Sequence, residues 1–296
     1  MPLSHSILLS LVQGATEFIP VSSSGHLVLV PWLLGWEKPG VLFDSVVHWG
    51  TLAAVLLVFW QDIVRLVRAF WRSVRLRSIT DAEAKTAWLI ILATIPAAAL
   101  GAAFEGFFED LFDSPRAVAA LLLVTGVVLV AAERLYRRGV GARMGGKPAL
   151  TGVASAAFRQ PDPPCRERKT MRDQSWADAL LVGLAQAVAI APGISRSGAT
   201  ISMGMALGVQ REQAARFSFL LAIPVILGAG AVKIADIGAE AHPSAGALAL
   251  GAAGAAISGY VAIRLLLPFL RRGNLYLFAV YCWLLGISSL IYASVK

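Results

Sequence analysis

The residues best equipped for chemistry lie in two polar segments set inside apolar sequence, 13–26 (QGATEFIPVSSSGH) and 186–200 (QAVAIAPGISRSGAT). Gln13 and Glu17 are four residues apart, so on a helix their heads share a face and can converge on one point. A carboxylate in such apolar surroundings must be paired, protonated or bound to a cation, which makes Glu17 a functional candidate. Ser22, Ser23 and Ser24, followed by Gly25 and His26, combine three hydroxyls, a permissive backbone position and a side chain that titrates near neutral pH. A helix starting near Gly25 would turn free N–H groups toward an anion, with a serine as its cap. In the second segment Arg196 is permanently charged and sits between Ser195 and Ser197. Its guanidinium can grip a phosphate through two parallel N–H bonds, with Gly193, Gly198 and Thr200 completing a donor-rich loop. Two plainer readings stand beside these: the serines only cap a helix, or Arg196 pairs with Glu17 and joins the two segments.

The two segments resemble each other. Gln13 aligned on Gln186 lays Ser22 on Ser195, Ser24 on Ser197 and Gly25 on Gly198, as an internal duplication would. Two further candidates are less telling. Asp44 and His48 form another i,i+4 pair, but their position near the end of an apolar run would let solvent satisfy both. His5 and His242 are assigned no role.

The surrounding sequence is 57% hydrophobic and only 15% charged, which excludes a soluble globular domain. Runs long enough to cross a ~30 Å hydrocarbon core fall at 41–60, 87–104, 117–135, 214–232, 245–270 and 275–292. Segments 3–34 and 176–207 are apolar too, but Pro20 with its serines and Pro192 with Arg196 break them into half-helices. The net charge of +8 is spread over three loops, 65–85, 134–172 and 271–272, rather than gathered on one face, so nucleic acid is excluded as a partner. The positive-inside rule puts those loops in the cytoplasm and the acidic segments 105–113 and 236–240 outside. Both broken segments must then turn back on the side they entered, and the second half becomes the first inverted.

The expected fold is an all-α polytopic membrane protein, one integral domain. Repeat 1 covers about 1–136, a basic cytoplasmic linker about 137–175, and repeat 2 about 176–296. Each repeat is a re-entrant helix pair plus three transmembrane helices, an arrangement that builds polar sites near the membrane midplane. Cys165 and Cys282 lack the spacing of a disulfide framework or a metal site. No cleaved leader is expected.

EFIPVSSSGH and PGISRSGAT, in this order and with FDSVVHWGTLAAV and FSFLLAIP between and after them, closely resemble the motifs of the undecaprenyl-diphosphate phosphatases, the bacitracin-resistance proteins. The first family motif is a Glu or Gln, three residues, then Glu; here the amide variant, Gln13 with Glu17, is present. The resemblance implies hydrolysis of undecaprenyl diphosphate to the monophosphate and inorganic phosphate on the outer side of the cytoplasmic membrane, recycling the carrier lipid for cell-wall synthesis. It places Glu17, Ser23, His26 and Arg196 in the active site. On that basis Arg196 holds the diphosphate and Glu17 with Gln13 binds Mg²⁺ or Ca²⁺. Ser23 or an activated water is the nucleophile, and His26 is a base or leaving-group acid. The implied partners are a polyprenyl diphosphate and membrane lipids, with a second copy of the chain as the only protein partner envisaged. The rival reading is a polyprenyl-phosphate flippase working from the same inverted-repeat cavity.

Overall fold

The computed structural model describes residues 1–143, 168–235 and 243–295. Among these residues every regular element is helical. The chain opens with two short helices, α1 (Leu3–Phe18) and α2 (Ser23–Leu34), and continues through α3 (Val41–Leu76), α4 (Ala82–Ala103), the short α5 (Glu105–Phe112) and α6 (Pro115–Arg143). The same order then recurs: short α7 (Trp176–Val188) and α8 (Arg196–Ala206), followed by long α9 (Arg211–Ala235), α10 (Ala245–Arg272) and α11 (Tyr276–Val295). Six helices, α3, α4, α6, α9, α10 and α11, are long and apolar enough to cross a membrane. The protein is therefore a multi-pass, all-α membrane protein. The polar segments Cys165, 236–240 and His242 lie outside the described residues.

Local chemistry sets the breaks between helices. Asp81 caps α4 by accepting from Ala84 N at 2.8 Å, and Ser175 with Asp178 forms a reciprocal capping box at the start of α7. Two boundaries differ from the sequence reading. α3 does not stop near residue 60; it runs for 36 residues, about 54 Å at 1.5 Å per residue, well beyond a ~30 Å core. The continuation forms because Arg65, Arg68, Arg72 and Arg75 fall on one helical face while Leu66, Ala69 and Ser73 are buried on the other. A non-helical residue, Phe59, marks the kink where the segment leaves the apolar zone. Described structure also reaches into both ends of the stretch read as linker. α6 extends to Arg143, and the chain is already tied down at Lys169, whose N–H donates to Gly208 O (3.2 Å) and whose ammonium meets Asp178 (2.9 Å).

The packing is doubled as well. α1, the first half-helix of the first half, lies on α10, the second span of the second half; α7 lies on α4 in the reciprocal arrangement. The third spans, α6 and α11, pack on each other, as do the first spans, α3 and α9. Close approach depends on missing side chains. A Cβ at Gly14 would meet Ala255 O at 2.4 Å on α10, and one at Gly183 would meet Ala93 O at 2.6 Å on α4. Each leading half-helix is thereby seated against a span of the other half. At one end Glu133, fully buried on α6, accepts from Arg211 at the start of α9 (2.6 Å) and from Arg137 (2.7 Å), closing that end with ion pairs.

Candidate active site

The two loops between half-helices meet at the centre. Ser22 ends the first loop with φ +68°, a left-handed conformation that a serine adopts only at a cost, and its hydroxyl accepts from Gly25 N at 3.2 Å. Ser195 does the same for α8, accepting from Gly198 N at 3.0 Å. Caps at duplicated positions give two helix N-termini, α2 and α8, aimed into one region. The loops touch directly: a Cβ at Gly25 would lie 3.3 Å from Gly193 Cα, and Ser197 donates to Ile19 O at 3.2 Å. Gly193 takes φ +97° with Val118 O only 2.3 Å from where a Cβ would stand, so this turn requires glycine.

Where the loops meet they carry opposite charge. Glu17 Oε1 accepts from Arg196 Nη2 at 2.8 Å, an ion pair that joins the two halves across 179 positions of chain. Glu17 Oε2 accepts from Gln13 Nε2 at 3.0 Å and from the Ser23 hydroxyl. The carboxylate is nearly inaccessible, and the second guanidinium nitrogen, Arg196 Nη1, is buried with no hydrogen-bond partner. The pairing reading and the phosphate reading of Arg196 are thus both represented: half of its fork is on Glu17 and half is uncommitted.

A cavity with about 1320 Å³ of empty space, its open mouth included, covers this pair. Glu17, Ser22, Ser23, Ser24, Ser195 and Arg196 line its polar floor, and Leu27, Val28, Ile190, Ile194, Val225 and Ile226 line its walls. The other sequence candidates stand behind this surface. Gln13 is fully buried beneath Glu17; Gly25, Gly193 and Gly198 shape the turns. The Thr200 hydroxyl turns away, donating to Arg196 O (2.8 Å) and bonding Ser218 of α9 (2.7 Å). The structure does not bring His26 to Ser23. Its Nδ1 bonds Ser22 O at 2.7 Å, and Nε2 bonds the Tyr281 hydroxyl on α11 at 2.7 Å, so both ring nitrogens are engaged in holding the strained Ser22.

The histidine that does face the carboxylate is His48. Its Nδ1 bonds Asp44 O at 2.6 Å, and its Nε2 stands 3.9 Å from Glu17 Oε2 on the cavity wall. The sequence reading ranked Asp44 and His48 low because depth in one run says nothing of which helix α3 faces. Two loop anchors were also missed. Thr125 on α6 donates to Gly193 O (2.8 Å) and accepts from Ser195 N (3.1 Å); its counterpart on α11, Cys282, lies with its sulfur 4.0 Å from Pro20 O. Their signal was present only as polar residues in the third apolar run of each half.

Among the described residues no three His, Cys, Asp or Glu side chains come together as a metal site. What the fold and the site define is a polytopic membrane protein with a paired carboxylate and guanidinium at the junction of two broken helix pairs. The comparisons with known proteins give that class its family: the profile of the bacitracin resistance protein BacA matches residues 6–288, and the chain belongs to that family. Similar proteins include undecaprenyl-diphosphatases from Desulfatibacillum aliphaticivorans (40% identical over 96% of both chains), Methanosphaera stadtmanae (39%, over 97% of this chain and 96% of that one) and Pelotomaculum thermopropionicum (37%, over 100% and 98%).

Proposed function

We propose that the protein is an undecaprenyl-diphosphatase, hydrolysing the diphosphate of the polyprenyl carrier lipid to the monophosphate and inorganic phosphate and so recycling the carrier for cell-wall synthesis and bacitracin resistance. The observation that carries this reading is Arg196, half committed to Glu17 and half open, between two capped helix N-termini under a largely apolar cavity. Such a site suits an anionic head joined to a hydrocarbon tail. The direct test is phosphate release from undecaprenyl diphosphate by the purified protein in detergent micelles. Micelles have no second leaflet, so a pure flippase would release none, and that result would overturn the hydrolytic reading.

Arg196 Nη1 and the N–H groups at the starts of α2 and α8 bind the terminal phosphate, neutralising charge and setting the line of attack. Ser23, whose hydroxyl donates to Glu17, is the nucleophile: its Oγ–P bond forms as the bridging P–O bond breaks and its proton passes to Glu17. Undecaprenyl phosphate leaves with the bridging oxygen. Water then cleaves the phosphoserine, yielding inorganic phosphate. His48, whose Nε2 is 3.9 Å from Glu17 Oε2, carries the proton away from Glu17. Accordingly, His48→Asn lowers kcat by about a hundredfold with KM little changed, the scale of a lost acid–base group. His26→Asn instead acts through Ser22, reducing thermal stability together with activity. Steady-state kinetics and melting of both variants check this, and a normal kcat for His48→Asn removes it from the reaction.

A divalent cation fits the donor set in one way. Gln13 Oε1 is buried without a partner, and turning the amide would aim it, beside Glu17, at a shared ion. Gln13 and Glu17 would hold Mg²⁺ or Ca²⁺, with the remaining ligands from water and phosphate, as is common for Mg²⁺ bound by few carboxylates. When bound, such an ion supplies positive charge against the phosphate oxygens.

The cavity is reached from the end that carries Lys38, Asp44 and Phe112, opposite the arginine-rich end of α3. With basic ends inside, the site faces the outer side of the cytoplasmic membrane. Single cysteines at Asp110, Arg77 and Arg272, in a Cys165→Ser/Cys282→Ser background, test the orientation with an impermeant thiol reagent on intact cells. Only position 110 labels; labelling at 77 or 272 reverses the assignment.

A further inference from the structure

The hydrocarbon tail must leave the cavity sideways, and one stretch of the cavity wall is lined by small residues of α9. Part of the seam between α3 and α9 is filled by Leu52, Ala222 and Ile226, which pack as a small cluster of their own. Beyond Val225 and Ile226, the α9 residues that line the cavity are Ala229 and Gly230, neither with a side chain larger than a methyl group. At Gly230 the side chain that packs against α9 is Trp49 of α3. Its indole lies on Gly230 so closely that a Cβ added there would stand 2.3 Å from Nε1. Trp49, Val225, Ala229 and Gly230 line the cavity, and Trp49 is itself 41% exposed. The same cavity contains polar atoms awaiting a ligand: Gln186 Oε1, on a residue only 2% exposed, and Arg196 Nη1 have no partner. By contrast, the α4–α7 seam is shut by backbone contact at Gly183 and Ala93.

We propose that Trp49, seated on Gly230, is a lateral gate through which the isoprenoid tail of the bound diphosphate passes between α3 and α9 into the bilayer, making this pair a determinant of tail length. This rests on the phosphatase reading of the site. A rigid two-torsion indole over a glycine can swing without unpacking either helix, because the wall behind it has nothing to displace. A tail short enough to end inside the cavity has no need to pass it.

The test compares undecaprenyl diphosphate with farnesyl diphosphate on the purified full-length protein. Gly230→Leu fills the seam and drives the indole outward. It lowers kcat/KM for the long substrate about tenfold or more, within the range a misfit of a few methylenes produces, and leaves the short one within about twofold. Adding Trp49→Ala to Gly230→Leu restores long-chain turnover in part, since the leucine then has room. Equal losses on both substrates, or no loss on the long one, overturn the gate. A second measurement needs neither turnover nor a variant: a polyprenyl diphosphate carrying a photoreactive group on its proximal isoprenes crosslinks to peptides containing Trp49 or Gly228–Gly230 in the wild-type protein, and crosslinks confined to other helices overturn the proposal. Wild-type protein inactive on both substrates but crosslinked at Trp49 would keep the gate and refute the phosphatase reading, so the two can fail separately.

Discussion

Arg196→Lys lowers phosphate release by about a hundredfold or more, the scale seen when a preorganised donor to a developing oxyanion is removed, while the protein still folds. Arg196 does two jobs at once: Nη2 holds Glu17 Oε1 at 2.8 Å and Nη1 is left for the ligand. A planar guanidinium can do both because its donors diverge at fixed angles. A lysine ammonium in the same place keeps the charge, so the buried pair with Glu17 survives and the loops stay joined. It has no second, rigidly placed donor for the phosphate. The loss is therefore expected in kcat/KM, with a melting temperature near that of the wild type. Phosphate release and thermal unfolding measured on the same preparation decide the matter. Near-normal turnover would show that charge alone suffices and that the open half of the fork has no catalytic use.

Much of this site was legible in the sequence, and the part that was not has a common cause. The capped turns were readable because Ser22 and Ser195 sit three residues before Gly25 and Gly198, a local pattern with local physics. The pairing of Glu17 with Arg196 followed from the cost of leaving either charge alone in an apolar setting. The duplication was visible as aligned serines and glycines. It also shows why the halves differ: in register with Glu17 and Ser23 stand Ile190 and Arg196, so one loop supplies the carboxylate and the other the cation. The surroundings of His48 and His26 were not legible because the side toward which a helical residue points depends on its neighbours. His26 adjoins the serines in sequence yet turns to Tyr281, whereas His48 comes from another helix and faces Glu17. Thr125 and Cys282 were illegible for the same reason, since each braces a loop far away in the chain. The length of α3 was misjudged by reading its arginines as a loop signal. Their spacing places them on one helical face, a pattern that favours continuation over termination.

Glu17 is where removal of a single atom type has the most varied consequences. Its carboxylate accepts from Arg196, Gln13 and Ser23 and stands near His48, so it is the hub of the site, a buried negative charge beside a largely covered cation. Glu17→Gln keeps the shape but leaves Arg196 without its counter-charge, and breaking a buried pair from one side costs about 3–5 kcal/mol. Turnover falls by about a thousandfold, since the base for Ser23 and the charge that orients Arg196 vanish together. A plain loss of activity does not say whether Glu17 also holds a cation. Gln13→Glu does. It puts a second carboxylate four residues before the first, where two like charges cannot both remain ionised unless a cation lies between them. If Glu17 and position 13 share Mg²⁺ or Ca²⁺, Gln13→Glu shifts the metal activation midpoint about tenfold lower, as a charged ligand replaces a neutral one, and direct metal binding by calorimetry tightens in parallel. If Glu17 works only as base and ion-pair partner, Gln13→Glu sets two carboxylates against each other, lowers stability, and leaves the metal response unchanged. The sign of the change in melting temperature on adding metal to Gln13→Glu therefore separates the two roles without reference to turnover: a rise assigns a cation to the pair, and no rise leaves Glu17 to the proton and to Arg196.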